Sequence, residues 1–528
     1  MKPLQNPAVT ALGATTIIFM VWLAPLASSL HQGFFHLPGS LLAVMIPLFI
    51  GFCAVWLFWS LLLAAGRKYP VLDTYVWGIL IVILVRELIE AWNTLKPTDK
   101  LWEEVTPLPR WVNFLFLLIV LATLIVLPIL HRRAPGALRR TKSFAAVVLA
   151  FVAFSGAFTL VKIALYTWQA RNLNAPRPLH QPAVASAPKH PRVIWMLLDE
   201  LSYRQVYEHR YPGLELPAFD RLAQDSSVFT DARPQGTLTE NVVPSLISGI
   251  SGYDNKAPAA GLPLYLRNSQ TKQWQLIDPH QTVFQDVLNA GYSPSVAGWW
   301  IPYCRIFPEV LDHCYWTANA SLVAGMYSTR SIAWNLKEFF TQPLLDRAAQ
   351  FRLIHKHPEP SYTDQHVLYE QLVAAADGYL NDPSDDFIYL HMNLPHPQGF
   401  YNRHTGQFST DKTGYIDNLA LADIFLGHVR SLLEANGTWD DTTLVVMGDH
   451  SWRTNFIWAK TASWSSEEQA ASDGDKFDDR PGYIVHLAGQ KTPARIDTPY
   501  EAIRTRSLMD NLVQGKIVTP EQLAAWVK

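Results

Sequence analysis

Charge is missing from the start of this 528-residue chain: between Lys2 and Arg67 there is no Asp, Glu, Lys or Arg. So long an uncharged run has nothing to offer water, which argues against an ordinary soluble N-terminal domain. Net charge is also nearly absent. The 43 Lys and Arg against 45 Asp and Glu give −2, so the balance gives no reason to invoke a nucleic-acid partner. Cysteine is scarce, with three in all. Cys53 falls in an apolar run, and Cys304 and Cys314 form the one pair beyond it, close enough to close a short loop in an oxidising compartment, with two buried thiols as the alternative. No repeat of useful length is present.

What is there in the first third is apolar. Ala8 to Leu30, Leu41 to Ala65, Trp111 to Leu130 and Ser143 to Val161 are each long enough for a hydrocarbon layer that takes about 20 helical residues. Val71 to Trp92 differs, because Arg86, Glu87 and Glu90 follow its uncharged part, and an interfacial amphipathic helix is the other reading. Five spans put Lys2, Arg67, Lys68 and the cluster Arg132, Arg133, Arg139, Arg140 and Lys142 on the cytoplasmic side, whereas four would put the cluster outside. Arg86 and Glu90, four apart, can pair near the membrane edge. Residues 1–168 are therefore expected to form a bundle of about five transmembrane helices, near 8–30, 41–65, 71–92, 111–130 and 143–165. The expected protein is a multi-pass one of the plasma (inner) membrane, with everything after Trp168 extracytoplasmic.

Residues 169–192 carry five prolines in APRPLHQPAVASAPKHPR and read as a linker. From Val193 to residue 528, short apolar runs alternate with helical stretches. VIWMLLD, SVFTDA, SPSVAGW, FIYLHMN, TLVVMGD and YIVHLAG read as buried strands; Pro217–Gln224, Gln285–Ala290, Tyr415–Ala435 and Tyr500–Val513 read as helices. The alternation predicts an α/β domain whose mostly parallel central sheet is sandwiched by helices. In such sheets, ligand groups gather at the carboxyl ends of strands.

Polar clusters stand at those ends. Asp199 and Glu200 end VIWMLLDE and suit a divalent cation, or simply cap a helix. Asp449 and His450 end TLVVMGDH and offer one oxygen and one nitrogen ligand, a set suited to zinc or manganese. His391 and His396 follow FIYLHMN and can bind metal, hold a substrate oxygen or act as general acid; Arg403 and His404 nearby read as rim residues. In GTLTENVVPSLISG a polar stretch gives way to an apolar helical start, where a hydroxyl feels the positive end of the helix dipole. Thr237, Thr239 and Ser245 are all chemically possible nucleophiles there.

The order of these clusters resembles the alkaline-phosphatase and sulfatase superfamily, in its membrane-anchored branch of phosphoethanolamine transferases and lipoteichoic acid synthases. The resemblance selects Thr239, which stands ten residues before Gly249, as the sulfatase cysteine stands before its Gly, and five before Pro244, as the transferase threonine does. It implies one divalent cation (Zn, Mn or Ca, with Zn or Mn favoured) held by Asp199, Glu200, Thr239, Asp449 and His450. Catalysis would fall to Thr239, His391 and His396, with Asn241, Arg453 and Lys460 on the substrate. Val242 stands where a Cys-x-Pro-Ser-Arg sulfatase has its cysteine, and Leu246 replaces the motif arginine, so a formylglycine mechanism is not expected.

The transferases' further metal-ligand His, about a dozen residues after Asp-His, has no counterpart, since the next His after His450 is His486 in an expected strand. One metal is therefore expected rather than two, with Arg453 and Lys460 able to supply the missing positive charge. The implied activity is hydrolysis or transfer on phosphate, or sulfate, esters through a covalent Thr intermediate, with a membrane lipid or an envelope glycan as substrate. The other readings are a sulfuric ester hydrolase, a non-catalytic membrane protein that kept the fold, and a transporter. Apart from the Arg86 to Glu90 edge, the spans lack the intramembrane charge that marks an ion path. Trp299, Trp300, Trp452, Trp458 and Trp464 are candidates for a lipid- or glycan-facing surface, or for core.

Overall fold

The computed structural model of the chain describes residues 6–20, 39–95, 110–173, 178–180, 190–257, 263–318, 321–323, 326–350, 360–397, 399–409, 413–460 and 464–528. It has two compact units. One comprises Met1–Asn174 with Ala320–His357, and the other Ala175–Asn319 with Pro358–Lys528.

The first unit is helical: Pro7–Ile18, Leu42–Gly66, Pro70–Leu95, Arg110–Arg133, Pro135–Leu173 and Ile332–Gln350. Among the described residues, two helices are long and apolar enough to cross a membrane, Leu42–Gly66 and Pro135–Leu165. The second half of the expected span Ala8–Leu30 lies outside the described residues, as does most of the expected linker. Glycine permits the closest crossing. A Cβ on Gly13 would stand 1.9 Å from the backbone oxygen of Leu149, so Pro7–Ile18 and Pro135–Leu173 touch backbone to backbone there. Phe151 and Phe154, 78% and 84% exposed, show that the bundle's apolar side chains face outwards, which is the reverse of a water-soluble helix bundle. Within Pro70–Leu95, Arg86 pairs with Glu87 at 2.7 Å, and the expected Arg86–Glu90 pairing falls on a side chain outside the described residues. The helix Ile332–Gln350 was not foreseen; it belongs to this unit through Asn335, which donates to the carbonyl of Ala43.

In the second unit an eight-stranded sheet is built from β1 (Arg192–Leu198), β2 (Ser227–Phe229), β3 (Pro294–Trp299), β4 (His313–Thr317), β5 (Phe387–Met392), β6 (Thr442–Met447), β7 (Tyr483–His486) and β8 (Ala494–Ile496). Their order is β8-β2-β7-β6-β1-β5-β3-β4. All neighbours are parallel except β7, which runs against both β6 and β2. The unbroken apolar runs of β1, β5 and β6 are buried on both faces, as expected of central parallel strands. Ile194, Met196 and Leu198 pack with Leu390 and Leu444 under the helices Pro360–Asn381 and Tyr415–Ala435. On the other face Trp195 meets Tyr389, and Tyr389 meets Phe284 of the helix Val283–Asn289.

All six expected strands are present, and Tyr415–Ala435 matches its expected bounds. Tyr500–Val513 is shorter: Tyr500 and Glu501 pair as a strand beside Ala232 and Arg233, and the helix begins at Thr505. Cys304 and Cys314 are joined, with Cα atoms 5.6 Å apart. The register carries the function, because β1 lies between β5 and β6 in parallel and Leu197 stands opposite both His391 and Met447. The carboxyl ends of three strands therefore open on one place.

Candidate active site

Asp199 directly follows β1, and Asp449 and His450 follow β6 after one glycine. Thr239 is the first residue of the helix Thr239–Ser248, which Gly249 closes in the left-handed conformation (φ 72°). That places the Thr239 hydroxyl at the positive end of the helix. Its Oγ1 lies 3.3 Å from Nε2 of His450 and donates to Oδ2 of Asp199 at 3.4 Å. Nε2 of His450 is 3.2 Å from Oδ2 of Asp449 and 4.0 Å from Oδ1 of Asp199. Of the three candidate hydroxyls, Ser245 instead donates to the carbonyl of Asn241.

The donor set fits a cation. Nδ1 of His450 faces the carbonyl of Ser451 at 3.1 Å, so it carries the proton and Nε2 presents a lone pair. Oδ1 of Asp199 and Oδ2 of Asp449 are buried and accept no hydrogen bond. Electron pairs thus converge on one spot with no proton between them, an arrangement that costs several kcal/mol unless a cation sits there. Burial, with the carboxylates of Asp449 and Glu200 nearby, pushes Asp199 well above the usual carboxylate range, and burial with Arg453 beside it lowers His450 to about 3. Carboxylate oxygens with one imidazole nitrogen form a donor set that suits a divalent cation. Among the described residues, one group of acidic and His side chains, Asp199, Glu200 and His450, is close enough to hold a metal, with ligand atoms within 4.8 Å of one another.

Glu200 differs from Asp199 in that its charge is already matched. It sits in a left-handed backbone conformation (φ 66°). Arg453 donates to its Oε1 through Nε at 2.6 Å and through Nη2 as well, and through its backbone N–H to Oε2 at 3.1 Å. The indole of Trp458 reaches both oxygens at 2.9 Å. Proximity puts Glu200 in the metal group while hydrogen bonding puts its charge on Arg453. The open oxygens of Asp199 and Asp449 are the stronger indication of where a cation goes, since they have no other partner.

His391 is held by Tyr303, whose Oη is 2.6 Å from Nδ1, and its Nε2 is buried without a partner. Burial lowers its pKa to about 4. Gly298 makes room for this contact: a Cβ there would lie 2.2 Å from the Tyr303 ring. His396 turns Nδ1 to the carbonyl of Pro397 at 2.8 Å and Nε2 to Arg453 at 3.4 Å. Trp299 stands edge-on to both histidines.

The other expected site residues make contacts of their own. Asn241 ties the Thr239 helix to the strand Gly252–Lys256, donating to the carbonyl of Tyr253 and accepting from Asn255. Lys460 is exposed and donates to the carbonyl of Phe456. Arg403 pairs with Asp417 and Glu467. His486 faces the carbonyl of Asp225 in β7. Trp452 is core, stacked on Tyr415, and Tyr415 in turn bonds the carbonyl of Glu200. Tyr303 and Tyr415 were missed, and Trp458, a candidate for surface or core, was not foreseen as a partner of Glu200; each acts across a long sequence separation that no local pattern reveals.

Residues 191–507 match the Sulfatase family model, more than half of the chain and the whole stretch that carries these groups. The chain belongs to the sulfatase family. It is thus a member of the alkaline-phosphatase and sulfatase superfamily, whose metal-dependent enzymes hydrolyse or transfer sulfate and phosphate esters. None of the curated proteins matches it. Similar solved structures include Ps i-CgsB in complex with k-i-k-neocarrahexaose (15% identity, 64% of this chain, 74% of that one, TM-score 0.40). The phosphonate monoester hydrolase of Agrobacterium radiobacter is also similar (14%, 61%, 74%, 0.37), as is the lipoteichoic acid synthase LtaP from Listeria monocytogenes (14%, 65%, 77%, 0.38). At such scores these likenesses carry no weight for the chemistry, and membership of the sulfatase family rests on residues 191–507.

Proposed function

We propose that this sulfatase-family chain is a multi-pass protein of the inner membrane, with five spans and an extracytoplasmic catalytic domain. Its reaction is hydrolysis or transfer of a phosphate ester, moving a lipid-derived phospho-headgroup to water or to a hydroxyl of an envelope glycan. The observation that carries the chemistry is the Thr239 hydroxyl set against His450 and Asp199, beside two carboxylate oxygens that have no partner. Val242 and Leu246, which break the formylglycine motif, favour phosphate over sulfate.

Asp199, Asp449, His450 and Thr239 would hold one divalent cation, with Glu200 at its edge. When bound, the cation lowers the pKa of a coordinated hydroxyl and neutralises charge on the transferring group. Thr239 gives its proton towards Asp199 and bonds to phosphorus as the bond to the leaving oxygen breaks. His391, with Tyr303 on Nδ1 and Nε2 open, supports protonation of the leaving oxygen and the reverse transfer when water or an acceptor attacks. His396 suits that role less well, because its Nε2 already faces Arg453. Arg453, tied to Glu200 and to the carbonyl of Thr237, positions the strand-end turn and the approach to Thr239.

The test is turnover of phosphomonoester, phosphodiester and sulfate ester panels by the full chain and by Thr239→Ala. Phosphodiester turnover lost in the variant supports the reading; sulfate turnover retained without Thr239 would overturn it.

A further inference from the structure

The helix Ile332–Gln350 belongs to the helical unit, although in sequence it stands between β4 and β5 of the sheet. Two contacts show how far along the N-terminal helices it reaches. The amide of Asn335 donates to the carbonyls of Ala43 and Tyr327 at 2.8 Å and accepts from the N–H of Tyr327 at 2.9 Å, so its polar atoms are satisfied at the start of Leu42–Gly66. One turn on, Phe339 is buried against Gly51, where a Cβ would stand 2.2 Å from its ring, and against Phe19, with ring centroids 5.0 Å apart. Gly51 is nine residues from the start of its helix, about 14 Å at 1.5 Å per residue. Phe19 is the midpoint of the expected span Ala8–Leu30. On the five-span reading Leu42 marks the extracytoplasmic end, because Arg67 and Lys68 follow Gly66. Phe339 then reaches the middle of a hydrocarbon core about 30 Å thick.

The outward side of the helix is apolar as well. Phe340, Leu344 and Leu345 are exposed, Leu344 at 70%, and positions four apart lie one above the other on a helix. Phe49 and Ile50, just before Gly51 in the span, are exposed likewise, so the apolar outer surface is shared by the span and the helix that packs on it. A surface of that kind marks contact with another apolar phase or partner. Lys337 and Glu338 stand before Phe339 and pair at 3.8 Å, and the Lys337 stem is long enough to carry its ammonium back to the headgroups.

We propose that residues 332–345 are immersed in the extracytoplasmic leaflet, with Phe340, Leu344 and Leu345 against phospholipid acyl chains. The half of the sequence that carries the ester chemistry thus supplies a lipid-facing element of its own, apart from the apolar runs that precede Trp168. The inference rests on the membrane reading above.

The experiment spin-labels the full chain in phosphatidylcholine nanodiscs at Phe340→Cys, Leu344→Cys and Leu345→Cys, one at a time, with Cys53→Ser in the background and Cys304 and Cys314 left joined. The three side chains are exposed, so cysteine there removes no packing within the chain. Phe151→Cys, on an apolar helix, is the lipid reference, and Lys491→Cys, on the surface of the second unit, is the water reference. Collision with oxygen, which concentrates in lipid, is compared with collision with a water-soluble nickel chelate. The expected ratio of oxygen to nickel access at Leu344 and Leu345 matches that at Phe151 and stands several-fold above that at Lys491. Water-like ratios at Leu344 and Leu345, with a lipid-like ratio at Phe151, would overturn the proposal and leave the membrane reading intact. Low access to both reagents would mark cover by protein, a second copy included, and would overturn it too. A water-like ratio at Phe151 would overturn the membrane reading and this inference together.

Discussion

The guanidinium of Arg453 holds the carboxylate of Glu200 from the side while its Nη1 reaches the carbonyl of Thr237, two residues before Thr239. One cation therefore joins the turn after β1 to the loop that delivers the hydroxyl. Both partners are buried, so the pair is a structural commitment rather than a surface contact.

Arg453→Ala leaves a buried carboxylate without its cation, a change that costs about 3–5 kcal/mol when a buried pair loses one member. Denaturant melts of the full chain should show that loss, and Glu200→Gln combined with Arg453→Ala should cost less than the sum of the two single changes. Additive losses would show that the two side chains do not depend on each other.

Metal removal is expected to act on stability and turnover together. At a free metal concentration of 100 times Kd, a cation that binds only the folded state adds about 2.7 kcal/mol. Chelation should lower the thermal midpoint and abolish turnover, Zn or Mn should restore both, and Asp449→Asn should raise the metal concentration needed. A midpoint unmoved by chelation, with turnover intact, contradicts the cation site.

Tyr303 is expected to act through His391. Tyr303→Phe removes the phenol from Nδ1, and turnover should fall about 10-fold, part of the roughly 10²–10⁴ that a general acid contributes. The fall should be larger for alkyl esters than for aryl esters, whose leaving groups need no proton. An equal fall for both classes would assign Tyr303 to packing alone. Gly298→Ala, which pushes on the same ring, should show the same leaving-group bias.

The parts legible in the sequence were those set by local pattern. Continuous apolar runs ending in Asp199, His391 and Asp449 marked three adjacent parallel strands, because burial on both faces demands such runs. Thr239 stood out by its spacing to Pro244 and Gly249. The role of Arg453 was only half legible. The missing second histidine suggested a cation there, but not that Glu200 would be its partner, since the two are far apart in sequence and meet only through the sheet. Lys460 was expected beside Arg453 as a substitute positive charge and Asn241 on the substrate, whereas Lys460 turns to the carbonyl of Phe456 and Asn241 to Tyr253 and Asn255, contacts that no local pattern gives. The helix Ile332–Gln350 was invisible because its apolar residues follow no single face and its partner is Leu42–Gly66, nearly three hundred positions earlier.

The central claim is that Thr239 becomes covalently bonded to phosphorus. Intact-mass measurement of the full, metal-loaded chain after brief exposure to a phosphodiester or phospholipid tests it most directly. The expected result is a phospho-adduct on the wild type that maps to Thr239 and is absent from Thr239→Ala. A metal-loaded wild type that turns over substrate without ever showing the adduct, or an adduct that persists in Thr239→Ala, would contradict the account.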